Sequence, residues 1–160
     1  YLPNQNPEKT VLSKSPMVWP GFAGGTALIA RQIWDEAGGM DEKIEGGYGE
    51  DNEFGIRVRQ TGSNVLYNPY QPVLHIKASR GGFRYQFPNP WISEKPKPSP
   101  TVLYSLKKHS TEAMKGGFKM IYFLKRLLNS PLYKIPFQVF EIEREWKSSE
   151  KWSRWIEHST

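Results

Sequence analysis

Cysteine is absent from the 160 residues, so the chain can hold no disulfide, no thiolate metal site and no thiol nucleophile. Its chemistry must rest on carboxylates, histidines and hydroxyls, and a reducing, cytoplasmic setting is expected. A run of about 18 apolar residues is also missing. The opening Tyr1-Leu2-Pro3-Asn4 has no charged stretch leading into an apolar one. Neither a membrane span nor a secretory signal is therefore expected. There is no internal repeat, and the only biased tract is a proline-rich one.

What is present suits one modest core: 38% of residues are hydrophobic and 14% aromatic, in the usual size range of a single domain. The net charge of +6 is uneven. Residues 1–101 hold 11 basic and 10 acidic side chains, whereas 102–160 hold 11 and 6. A basic C-terminal third is compatible with an anionic membrane surface or with nucleic acid, and equally with a solvated face. No nucleic-acid-reading motif occurs, so nucleic acid is not an expected partner.

Residues 1–20 carry Pro3, Pro7, Pro16 and Pro20 and read as extended. Ala23 to Ala30 is a short apolar run of strand length, followed by a helix over Arg31 to Ala37 closed by Gly38-Gly39. Glu50 to Gln60 is expected to be helical on its end signals: acidic residues first, Arg57 and Arg59 last, and Gly62 placed to cap. Val65-Leu66-Tyr67 and Val73-Leu74-His75-Ile76 read as short strands. Pro88 to Pro100 contains five prolines and reads as a connector. Thr101 to His109, Gly117 to Asn129 and Phe137 to Glu157 read as helices, and Trp146, Trp152 and Trp155 as packing or oligomer contacts on the last of them.

The most informative stretch is Gly46-Gly47-Tyr48-Gly49-Glu50-Asp51-Asn52-Glu53-Phe54-Gly55. Glycines allow backbone conformations closed to other residues and let a ligand approach closely. Acidic side chains are stabilised beside the positive end of a helix dipole. A carboxylate at the mouth of such a loop suits a general base. Glu50 is placed to contact an acceptor or orient the loop, and Glu53 to complete a cap. Two adjacent carboxylates are badly placed to flank a glycosidic bond, which argues against a two-carboxylate glycosidase built on this pair alone.

Three segments in order, Trp19 to Arg31, Gly47 to Arg59 and Leu74 to Arg84, together with the Gly38-Gly39-Met40-Asp41-Glu42 turn, resemble the C-terminal half of the catalytic domain of family 2 glycosyltransferases. The resemblance covers residues 18–84, about two fifths of the chain. It implies an α/β fold, a partial GT-A (Rossmann-like) domain, and transfer of a sugar from a nucleotide-sugar donor to the hydroxyl of a glycan or lipid-linked acceptor, with inversion. Asp51 would be the catalytic base, taking the acceptor proton as the oxygen attacks, with Glu50 beside it. His75 would join in holding Mn²⁺ or Mg²⁺ on the donor diphosphate. Arg80 and Arg84, around Gly81-Gly82, would close on phosphate. Gly24 and Gly25 would line the substrate site, and Trp19 and Tyr48 would stack on sugar faces.

The departures are as informative. No Asp-x-Asp occurs, and no alternating series of strands and helices stands before Trp19 to build a nucleotide-binding sheet. The expected organisation is an acceptor-side half over 1–90, a proline-rich connector over 91–100 and a helical C-terminal extension over 101–160, inactive alone. Lys115 to Lys134 has five basic and no acidic residues among aromatic and aliphatic ones. That composition fits a helix on its own domain, or peripheral contact with the inner face of a membrane during glycan biosynthesis. A homo-oligomer is compatible with open sheet edges. The alternative function is a non-catalytic carbohydrate- or protein-binding module derived from the same fold.

Overall fold

The computed structural model describes residues 13–71, 90, 91 and 93–159. Two units are distinguished: residues 1–41 with 50–86, and residues 42–49 with 87–160.

In the first unit, two residues of strand, β1 (Met17–Val18), pair antiparallel with β2 (Leu66–Tyr67), Met17 opposite Tyr67. Helix α1 (Arg31–Ala37) is held on its exposed side by Arg31 to Asp35, at 2.8 Å, and Gln32 to Glu36, also 2.8 Å. It ends where Gly38, at φ 79°, donates its N–H to the Asp35 carbonyl, a left-handed cap that glycine adopts without steric cost. Helix α2 (Glu50–Gln60) has acidic residues in its first turn and Arg57 and Arg59 in its last, complementing the helix dipole. Gly62 follows at φ 83°. Phe54, Val58 and Ala37 are buried between α1 and α2, with Phe22, Ile29, Ile33, Trp34 and Val65 packed around them. Phe54 meets Phe22 edge-on at 5.0 Å and Trp34 at 4.9 Å. Full burial of a side chain such as Phe54 contributes about 1.5–3 kcal/mol.

Ala23 to Ala30 does not form the expected strand. Gly24–Thr26 is a 3₁₀ turn, and residues 27–30 have no regular structure. Thr26 N–H is satisfied locally by the Ala23 carbonyl at 2.9 Å, Leu28 is fully exposed while Ile29 packs on the Phe54 cluster, and among the described residues no strand pairs with this run. The expected strand over Val73 to Ile76 lies outside the described residues. Among the described residues the chain is mostly helical with one two-stranded ribbon, and the α/β expectation finds no larger sheet there.

The second unit contains α3 (Pro100–His109), α4 (Glu112–Leu128) and α5 (Ile135–His158). Pro100 opens α3, where a missing N–H costs nothing, and Thr111 caps α4 by accepting from Met114 N–H. Ile44, from a 3₁₀ turn over Glu42–Ile44, is buried with Trp91, Tyr104 and Ile156, and Trp152 packs on the cluster. Trp91 also meets Trp155 at 5.9 Å. Trp146 takes Phe118, Tyr122 and Phe123 of α4 against its ring. Trp146 and Trp152 thus pack within the unit, whereas Trp155 remains exposed. The proline-rich stretch is itself packed: Pro96 and Pro100 are buried, and the Pro98 carbonyl accepts from Ser149 of α5.

Candidate active site

Asp51 stands in the first turn of α2, half-buried, and its Oδ1 accepts the backbone N–H of Gly24 at 3.1 Å. This single bond ties the start of α2 to the glycine turn across 27 residues of sequence. A Cβ added at Gly24 would lie 2.7 Å from that oxygen and 3.3 Å from the Met40 Cε. At Gly25 the same atom would meet nothing within 4 Å. The two expected glycines therefore differ: Gly24 is a close-approach position at the carboxylate, and Gly25 faces open space.

Behind the carboxylate the helix is locked. Glu53 is fully buried and binds Arg57 through both oxygens, at 2.9 and 3.1 Å to Nε and 2.7 Å to the terminal nitrogen. Arg57 donates further to the Ala37 carbonyl and lies 5.3 Å from the Phe54 ring. Arg59 donates to the Pro20 carbonyl. A planar guanidinium suits this bidentate duty, and removing either partner of a buried pair leaves an uncompensated charge costing about 3–5 kcal/mol. Gly55 completes the arrangement, since a Cβ there would lie 2.7 Å from the Phe22 Cβ. The i,i+4 spacing of Glu53 and Arg57 was a sequence signal for the pair, whereas the Phe22 contact had none.

Trp19 is placed on the β ribbon, its N–H bonded to the Val65 carbonyl at 2.8 Å and its ring 6.4 Å from Tyr67. Tyr48 is exposed and belongs to the second unit. There Thr101, fully buried, accepts the Tyr48 N–H at 2.9 Å and donates to the Tyr48 carbonyl at 2.7 Å. Nothing in the sequence marked Thr101 for this role. Glu50 is half-buried in the first turn of α2. His75, Arg80 and Arg84 lie outside the described residues. Among the described residues no three His, Cys, Asp or Glu gather as a metal site, and His75, the expected ligand, is not one of those residues. A shallow cavity lined by Glu36, Ala37, Arg57, Gln60 and Thr61 sits at the far end of α2 from Asp51. No helix among the described residues is long and apolar enough to cross a membrane.

Comparison with known proteins adds one finding. Polypeptide N-acetylgalactosaminyltransferase 3 of Drosophila melanogaster is 34% identical over 76 residues, and those of Mus musculus and Homo sapiens are each 30% identical over 79. The likeness is to a piece of a glycosyltransferase. The matches cover 48–49% of this chain and 11–12% of the relatives, so the chain spans about a ninth of their length. No family model matches the chain, and no solved structure does.

Proposed function

We propose that this chain is the acceptor-side part of a glycosyltransferase that moves a sugar from a nucleotide-sugar donor to an acceptor hydroxyl, with Asp51 as general base. The observation that carries the proposal is the pairing of Asp51 with Gly24: a half-buried carboxylate at the start of α2, one oxygen fixed by a backbone N–H beside a glycine turn. The similarity to polypeptide N-acetylgalactosaminyltransferases supports the same class of reaction. An acceptor hydroxyl is a poor nucleophile at neutral pH, so a carboxylate in hydrogen-bond reach must take its proton as the oxygen attacks the anomeric carbon. One oxygen of Asp51 is held by Gly24, and Oδ2 has no hydrogen bond among the described residues, so it is the atom assigned to that proton. A single displacement of this kind inverts the anomeric centre. Glu50 is the adjoining acceptor contact in this scheme, Gly25 leaves room for the ligand, and Trp19 offers a ring face to a sugar. Arg80 and Arg84 are assigned to the donor phosphates, and His75 to a Mn²⁺ or Mg²⁺ ion there.

The test is acceptor-dependent release of nucleoside diphosphate by the complete protein, across nucleotide sugars that include UDP-N-acetylgalactosamine and acceptors that include glycans and peptides. Release that requires both the acceptor and a divalent cation is expected, with no release by the 160-residue chain alone. A complete protein that binds oligosaccharide but releases no nucleoside diphosphate contradicts the proposal and favours a binding module instead.

A further inference from the structure

Helix α4 is apolar on two faces, and among the described residues only one of them is packed against another element. Phe118, Tyr122 and Phe123 turn toward Trp146 of α5. Met114, Ile121, Leu124 and Leu128, spaced by seven, three and four residues, line another face and are exposed, Leu128 at 84%. The exposed apolar surface continues past the turn between the helices, where Phe137 is 77% exposed and Phe140 is also exposed in the first turns of α5. Isolated exposed leucines need no explanation, but a row along a 17-residue helix, continued by aromatic residues, marks an interaction surface.

Charge identifies the occupant. Between Glu112 and Glu141 there is no acidic residue, while Lys115, Lys119, Lys125, Arg126 and Lys134 lie in that interval. Lys115 is matched by Glu112 and Arg126 by Glu145, but Lys125 and Lys134 make no ion pair among the described residues. A second copy of the chain would set these lysines against their own kind, which like-charge contact disfavours. An anionic bilayer surface offers diffuse negative charge to the ammonium groups and an apolar boundary to the leucine and phenylalanine side chains.

We propose that the exposed face of α4, with the start of α5, docks the protein on an anionic lipid surface. It is independent of the transferase assignment. The experiment is co-sedimentation of the 160-residue chain with phosphatidylcholine vesicles, with and without phosphatidylserine. Expected is association that needs phosphatidylserine and is lost at about 0.5 M salt, where the Debye length falls to a few ångströms. Lys125→Ala and Lys134→Ala should each weaken it about fivefold. Leu128→Ser with Phe137→Ser, both at exposed positions and checked for folding by circular dichroism, should weaken it at least tenfold. Three outcomes overturn the inference: no association, equal association with and without phosphatidylserine, or a dimer that Leu128→Ser dissolves while lipid association is unchanged.

Discussion

A methyl group distinguishes three glycines of the first unit. At Gly25 it enters open space, so Gly25→Ala should leave stability within about 0.5 kcal/mol. At Gly55 it meets the Cβ and backbone nitrogen of Phe22, atoms that cannot swing aside, and Gly55→Ala should destabilise the unit by about 1–3 kcal/mol in chemical denaturation. Equal stability of the two variants would contradict the packing described for Phe22 and Phe54. At Gly24 the obstacle is the end of the Asp51 side chain, which can turn away. Gly24→Ala should therefore spare stability and displace the carboxylate, lowering transfer by the complete protein. The sequence singled out Gly24 and Gly25 as a pair, because composition does not say which glycine faces a side chain.

At the scale of elements, the helices were legible from their ends. Gly38 and Gly62 occupy the left-handed positions their spacing predicts, and the charges at the two ends of α2 follow its dipole. Phe54, Ile56 and Val58 alternate as in a strand, yet α2 is helical, so end signals outweighed local alternation there. The run Ala23 to Ala30 misled because apolar composition does not by itself say that a strand partner exists: Leu28 is fully exposed, and among the described residues no strand pairs with the run. The packing of the proline-rich stretch was not legible either, since it depends on distant residues of α5. Glu94 shows this: its Oε2 accepts from Ser148 Oγ and from Trp152 Nε1, both at 2.8 Å. The Trp152 bond first, then that from Ser148, holds the carboxyl below its ordinary value of 4.5. A carboxyl lowered in the folded state binds its proton more readily when unfolded. Its stabilising effect is therefore present above the ordinary value and lost as pH falls through the lowered one. The difference in melting temperature between the native chain and Glu94→Gln should shrink as pH is lowered from about 6 to about 3. A difference that stays constant or grows in acid would contradict the assignment.

At the scale of the whole molecule, the chain comprises two units, and the glycine-rich motif is divided between them: Tyr48 belongs to the helical unit, and Asp51 to the unit with the β ribbon. The motif was legible in the sequence, but its division was not, because Thr101 lies 53 residues from Tyr48. The matched stretch covers only 11–12% of the relatives' length, so the chemistry assigned to Asp51 must be examined in the complete protein. Asp51→Asn is the suitable change, since an asparagine oxygen can still accept the Gly24 N–H while losing the capacity to take a proton. The decisive measurement is turnover of that variant alongside its affinity for the donor. A fall in kcat of about 10²–10⁴-fold with donor affinity retained is predicted. Unchanged turnover, or loss of donor binding with turnover preserved at saturation, would contradict Asp51 as the base.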